Sequence, residues 1–144
     1  MSAARIAKLE ALLVGAGALA LLLWRIDGTL PLDNDPLYAD VVREMLRGGR
    51  WLDPQIHGVP FLDKPPLFYW LCAGVSVIAG VSEQALRAVA ALLGAVGVAA
   101  VFGFVRFAVQ RRAPALMAAL LLLGSAQYAE YARRVTMEVP VAVL

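Results

Sequence analysis

The chain has 144 residues, of which 61% are hydrophobic, and its mean hydropathy is +0.73. This composition indicates an integral membrane protein, because soluble domains of this length contain far less apolar sequence. The net charge is only +2, and the basic residues stand in short clusters at the ends of apolar runs, which excludes a nucleic-acid-binding surface. Cys72 is the only cysteine, so it is interpreted as a small buried hydrophobe and not as part of a disulfide or thiolate zinc site.

The first apolar run follows two basic residues, Arg5 and Lys8. It predicts a transmembrane helix from about residue 7 to residue 26, because about 20 apolar residues cross a bilayer. A signal peptide begins in the same way, but no small-x-small cleavage site follows this run, so an uncleaved anchor is favoured. The positive-inside rule then places the N-terminus in the cytoplasm and the next segment outside.

Residues 27–84 are predicted to form a long extracytoplasmic loop, because their first half is acidic and contains many turn-forming Gly and Pro residues. The stretch "PLYADVVREMLRGG" predicts an amphipathic helix over about 36–47, begun by a proline and ended by two glycines. Asp33 and Asp35 precede this helix. Acids in that position fit an N-cap and turn pair as well as a pair of catalytic carboxylates.

The stretch "PPLFYWLCAGVSVIAGVS" predicts an interfacial or re-entrant helix over about 65–81, with its aromatic residues in the headgroup zone. A second transmembrane helix is predicted over about 85–109. One crossing by this region returns the next three arginines to the cytoplasm, as the positive-inside rule favours. Asp63 and Lys64 stand at the end of the loop, where they fit either charges facing a cavity or a solvated end with the lysine reaching headgroups.

A third transmembrane helix is predicted over about 114–131, and a fourth is predicted to begin at about residue 138. Arg133 and Arg134 then lie outside, which counts against the positive-inside rule. The fold class is thus an all-α polytopic membrane protein with about three complete spans. Because the last apolar run ends after a few residues, the chain is expected to be an N-terminal fragment of a longer protein. The stretches "GAGALA" and "GAVGVAAVFG" are predicted to be small-residue faces for helix packing.

The loop resembles the first extracytoplasmic loop of the protein O-mannosyltransferase superfamily of GT-C glycosyltransferases, and in particular the branch that contains the lipid A aminoarabinose transferase. The resemblance rests on an ordered set of short motifs, namely Asn34-Asp35, Tyr38-Ala39, Arg43-Glu44-Met45, Gly49-Arg50-Trp51 and Asp63-Lys64-Pro65. It implies the N-terminal part of a GT-C fold in the bacterial inner membrane, with its active site on the extracytoplasmic side.

The resemblance also implies an activity. Members transfer a sugar from a polyprenyl-phosphate donor to a lipid, glycan or protein acceptor, with inversion and with an acid of this loop as general base. That acid is expected to be Asp35, with Asp33 as the alternative, because Asn34 stands where the first family acid is expected. Glu138 corresponds to the second acid, at the head of span four.

The remaining site residues follow from the same resemblance. Lys64 is expected to neutralise the departing lipid phosphate, and Tyr38 and Arg43 are expected to contact substrate. Arg43 equally fits a helix-surface pair with Glu44. No cofactor is required; a divalent metal at Asp63 is an alternative, although one carboxylate cannot hold it alone. The competing functions are a small non-catalytic membrane protein or subunit of a membrane complex, and a transporter, and the fragment alone is expected to be inactive.

Overall fold

The computed structural model describes residues 3–24, 26, 34–61, 66–136 and 138–143. These residues form seven helices and one two-stranded hairpin. The helices are α1 (Ala3–Leu23), α2 (Asn34–Gly48), α3 (Leu67–Ala79), α4 (Glu83–Val109), α5 (Arg112–Gly124), α6 (Ala126–Tyr131) and α7 (Glu138–Val143), and the hairpin strands are β1 (Gln55–Ile56) and β2 (Val59–Pro60). The mostly helical fold agrees with the predicted class.

Helices α1 and α4 form the most extensive helix pair among the described elements. Both are long and apolar enough to cross a membrane. They approach closely through small residues, since a Cβ atom added to Gly15 would lie 3.1 Å from the Cβ atom of Ala99. The predicted packing role of the two small-residue stretches is therefore confirmed.

Contacts at both ends show that α1 and α4 are antiparallel. Near the start of α1, the Glu10 carboxylate lies 3.1 Å from Nε of Arg106, which belongs to the last turn of α4. The same carboxylate lies 2.5 Å from Nε of Arg112 in α5. At the other end, Arg87 in the second turn of α4 donates a hydrogen bond to the carbonyl of Ile26, beyond the end of α1. The helix pair thus has one polar layer at each end.

The predicted third span, 114–131, is not one continuous helix. Ser125 has an extended backbone, with ψ at 117°, and separates α5 from α6. Gly124 and Ser125 are poor helix formers, and such pairs are common causes of helix breaks. Of the helices in the described residues, two are long enough to span alone, so three complete spans stay a prediction.

Two clusters of buried side chains hold the helices together. The first joins α2, α3 and the first half of α4, and its α4 members run from Ala85 to Leu93. The second joins α1, α5 and the second half of α4. Helix α3 has 13 residues and is therefore about 20 Å long, short of the roughly 30 Å of a hydrocarbon core. This length supports the predicted interfacial position of α3.

The outer surfaces of the long helices remain apolar. Leu12 of α1, Phe107 of α4 and Leu121 of α5 are among the large hydrophobic side chains that are mostly exposed. Apolar surface of this extent on helices is stable in lipid, where the backbone groups are satisfied inside each helix.

Candidate functional site

Helix α2 carries the predicted general base at its first turn. The helix begins at Asn34, so Asp35 belongs to the helix and does not precede it as the sequence predicted. Pro36 is tolerated there because residues of the first turn need no intrahelical N–H bond. Buried side chains at helical spacing fix the inner face of α2, and these are Tyr38, Val41, Val42 and Met45. Asp33, Asp63 and Lys64 lie outside the described residues.

An aromatic cluster joins α2 to the start of α3. The Tyr38 and Tyr69 ring centroids lie 5.7 Å apart, and the Phe61 and Tyr69 centroids lie 6.5 Å apart. Phe68 packs beside Tyr69 in the same core. Phe61 lies just before the segment 62–65, and α3 begins just after this segment. Phe61 and Tyr38 both pack against Tyr69 of α3. Tyr38 is therefore part of the buried aromatic core that joins α2 to α3.

Arg43 makes an ion pair with Asp40 on the surface of α2. The sequence suggested Glu44 as its surface partner, but residues three apart on a helix face each other and adjacent residues do not. Glu44 instead accepts a hydrogen bond of 2.7 Å from the backbone N–H of His57. An approach of Arg43 to a substrate phosphate would have to compete with the Asp40 contact.

His57 has a structural role in the hairpin. Its φ angle is 52° and that of Gly58 is 77°, as in the two-residue turns that match strand twist. The turn pairs Gln55 with Pro60 and Ile56 with Val59. The hydrogen bond from the His57 backbone N–H to the Glu44 carboxylate ties this hairpin to α2.

Arg87 is the buried charge that the sequence analysis missed. Its residue is 3% exposed, its Nη1 lies 3.3 Å from the Ile26 carbonyl oxygen, and its Nη2 lies 3.5 Å from Oε2 of Glu83. A signal was present, because an arginine inside a long apolar helix is costly unless it has partners. Arg87 links the start of α4 to the chain that leaves α1 for the loop.

Arg133 holds the same end of α1. Its Nε donates a 3.0 Å hydrogen bond to the Leu22 carbonyl, and its Nη2 donates another to the Trp24 carbonyl. The last carbonyls of a helix lack intrahelical donors and carry partial negative charge, so a cation there is stabilising. Arg134 lies 2.8 Å from the Glu130 carboxylate. The two arginines that conflicted with the positive-inside rule are thus engaged within the fold.

Glu138 begins α7, and its side chain is exposed. Val135, just before it, is buried in the same cluster as Tyr38 and Tyr69. The start of α2, the start of α3 and the segment that precedes Glu138 therefore share one core. Among the described residues, no three His, Cys, Asp or Glu side chains come together as a metal site. Asp63 is not one of those residues.

The described residues thus form a mostly helical fold in which two helices are long and apolar enough to cross a membrane. A sequence profile of the family described as dolichyl-phosphate-mannose-protein mannosyltransferase matches residues 63–144. The chain belongs to this family, and the resemblance that the loop motifs indicated is confirmed.

Curated relatives agree with the family match. The chain is 34% identical over 109 residues to an uncharacterised protein of Aquifex aeolicus, covering 76% of this chain and 22% of that protein. It is 34% identical over 82 residues to an undecaprenyl phosphate-alpha-4-amino-4-deoxy-L-arabinose arabinosyl transferase of Pseudomonas savastanoi, covering 57% of this chain and 15% of the relative. The relative of the same name in Aeromonas hydrophila is 31% identical over 102 residues, and the match covers 66% of this chain and 19% of that protein.

The chain spans about a fifth of the length of these curated relatives. No solved structure matches it significantly.

Proposed function

We propose that the protein containing this chain transfers a sugar from a polyprenyl-phosphate donor to an acceptor at the extracytoplasmic face of a bacterial inner membrane. The family membership and the undecaprenyl phosphate-linked sugar in the relatives' names support this proposal. The observation that carries it in the structure is the single core shared by Tyr38, Tyr69 and Val135. Through that core, the sequence neighbours of the proposed acids and lysine belong to one packed unit.

In the proposed reaction, an acceptor hydroxyl attacks the anomeric carbon of the donor sugar. Its proton passes to the carboxylate of Asp35 while the bond from the anomeric carbon to the lipid phosphate oxygen breaks. Attack opposite to the leaving group inverts the anomeric centre. Lys64 neutralises the charge that develops on the departing lipid phosphate, as a compact cation does well.

The other predicted residues take supporting places in this proposal. Glu138 is the second acid, and Asp33 is the alternative base. Tyr38 is a substrate contact in this proposal, and its ring packs against Tyr69. Arg43 binds substrate only if it exchanges its ion pair with Asp40 for a contact with the substrate phosphate.

A divalent metal at Asp63 remains an alternative part of the proposal, with its other ligands supplied from outside the described residues. The chain covers about a fifth of the length of its relatives, so the proposal concerns the longest reading frame that contains this chain. The 144 residues alone are expected to be inactive.

The test replaces Asp35 by Asn in that full reading frame and measures sugar transfer in membranes supplied with a polyprenyl-phosphate-linked sugar. Transfer is expected to fall at least 100-fold, roughly the contribution of a positioned general base, while membrane insertion is retained. The matched control is Asp53→Asn, which changes an exposed acid of the same loop that contacts Gln55. Normal transfer by the Asp35 variant would reject Asp35 as the base and make Asp33 the next candidate. No transfer by the unchanged protein would instead favour the non-catalytic subunit.

A further inference from the structure

A basic groove lies where α2 ends and the hairpin begins. Gly49 has a φ angle of 66° and donates its N–H to the Met45 carbonyl, which terminates the helix. The groove next to this turn has a volume of about 280 Å³ and is lined by Glu44, Arg47, Arg50 and Gln55 around Met45 and Gly48. Two guanidinium groups and one carboxylate therefore give the groove a net positive charge.

The two arginines of the groove are available to a ligand. Within the described residues, neither Arg47 nor Arg50 makes an ion pair, whereas Arg106 and Arg112 both contact Glu10. The carboxylate of the groove is already engaged, because Glu44 accepts the hydrogen bond from the His57 N–H. An anion with several oxygen atoms is the ligand that complements two such guanidinium groups.

Exposed apolar side chains follow Arg50 in sequence and occur in the hairpin that contains Gln55. Trp51 is 41% exposed, Leu52 is 80% exposed and Val59 of the hairpin is 65% exposed. The carbonyl of Trp51 accepts a 2.7 Å hydrogen bond from the indole N–H of Trp70, in the first turn of α3. Tryptophans and arginines flanked by aliphatic residues are typical of the membrane–water interface. This part of the loop therefore has the pattern of a surface that touches a bilayer.

The groove is separate from the proposed reaction site. Asp35 lies in the first turn of α2 and Arg47 in its last, so the length of the 15-residue helix places them about 20 Å apart. A donor phosphate that reacts near Asp35 cannot occupy the groove at the same time.

We propose that this groove binds the headgroup phosphate of an anionic bilayer phospholipid, while Trp51, Leu52 and Val59 enter the interfacial zone. The arginines supply charge complementarity, and the apolar residues beside them supply contacts that a soluble phosphate would not need. Binding fixes the far end of α2 and the hairpin to the membrane surface. The proposal is independent of glycosyl transfer.

The test places a spin label at Leu52→Cys, in a Cys72→Ala background, and reconstitutes the protein in nanodiscs. The series runs from phosphatidylcholine alone to mixtures with phosphatidylglycerol. As phosphatidylglycerol is added, the label is expected to gain collisions with oxygen and lose collisions with a water-soluble nickel complex. Arg47→Gln or Arg50→Gln should each raise the phosphatidylglycerol content needed for half of this change about fivefold, and the double variant should reach no midpoint within the series.

Two variants serve as controls. Arg47→Lys with Arg50→Lys keeps both charges and should keep most of the effect, which separates charge from folding. Arg111→Gln changes an exposed arginine at the opposite end of α4 and should leave the label at position 52 unchanged.

The remaining arm adds glycerol 1-phosphate to the nanodiscs. Competition at large excess is expected, because both molecules present a phosphate. If glycerol 1-phosphate abolishes the effect at the same concentration as the phosphatidylglycerol headgroups, the apolar residues add no affinity and the proposed membrane contact is wrong. An identical label depth in both lipids would also overturn the proposal. So would a double Gln variant that responds to phosphatidylglycerol as the wild type does.

Discussion

The packing of α4 against α1 and α6 depends on the absence of a side chain at Gly94. A Cβ atom at this position would lie 2.6 Å from the Cβ atom of Ala132 and 3.3 Å from Cδ1 of Leu22. Ala132 and Leu22 are both fully or nearly fully buried. Because the Ala132 methyl group cannot rotate away, Gly94→Ala requires a shift of the backbone.

Two opposing effects set the magnitude. Alanine in a helix interior gains about 1 kcal/mol over glycine. Overpacking a well-packed core costs about 1–3 kcal/mol. The 2.6 Å approach to a rigid methyl group belongs at the upper end of that range, so we expect a net destabilisation of about 1–2 kcal/mol.

The assay is thermal unfolding of the purified protein in detergent, followed by loss of the monodisperse peak on size exclusion. Gly94→Ala should lower the unfolding midpoint by several degrees. Gly103 lies in the same helix, and a Cβ atom added there would meet no atom within 4 Å, so Gly103→Ala should leave the midpoint unchanged or raise it. Adding Ala132→Gly to Gly94→Ala removes the clashing methyl group and should restore part of the loss. If Gly94→Ala were as stable as Gly103→Ala, the close packing at this point would be refuted.

Two further predictions concern single side chains. Arg87→Met should lower the free energy of unfolding by about 1–3 kcal/mol, because the Ile26 carbonyl and Glu83 lose their donor. The stability of Arg87→Lys should lie between those of the wild type and Arg87→Met. Equal midpoints for the wild type and Arg87→Met in the same unfolding assay would contradict this prediction. Burial raises the pKa of the Cys72 thiol to about 12, so the thiol stays protonated at pH 8. Its alkylation by iodoacetamide should therefore be far slower in the folded protein than in SDS. Similar rates in both conditions would show that the thiol is accessible.

The sequence predicted those features that depend on local pattern. The helical spacing of Leu37, Val41, Val42, Met45 and Leu46 predicted an amphipathic helix where α2 lies. Of these residues, Val41, Val42 and Met45 are fully buried in the core. The small-residue stretches identified the α1–α4 contact for the same reason, because close helix packing needs small side chains regardless of the partner. The family resemblance followed from the order of motifs in the loop.

Other features depend on contacts between distant residues and could not be predicted from pattern. The pair of Arg87 with Glu83 is local, but another partner of Arg87, the Ile26 carbonyl, is 61 residues away. Glu44 bonds the backbone of His57, a contact that needs the hairpin to fold back on α2. The break at Ser125 depends on a weak helix pair that many longer helices tolerate.

The position of the proposed base, Asp35, could be predicted only in part. The helix carrying Asp35 was predicted, but its start was placed two residues late, so the acid lies inside the first turn. Helix boundaries are the least predictable part of such assignments, because a proline fits several positions of the first turn.

The path of the loop bears on the number of membrane crossings. The chain leaves α1 near Ile26 and returns at Arg87, whose side chain touches the Ile26 carbonyl. A segment that begins and ends on one side crosses the membrane an even number of times. In its described part, α2 is amphipathic and α3 is the one strongly apolar helix, so a pair of crossings lacks its second helix. Arg133, bonded to the last carbonyls of α1, lies at this same end and is held by the fold. These contacts agree with a single crossing by α4, while the side of the membrane on which Arg133 lies stays a prediction.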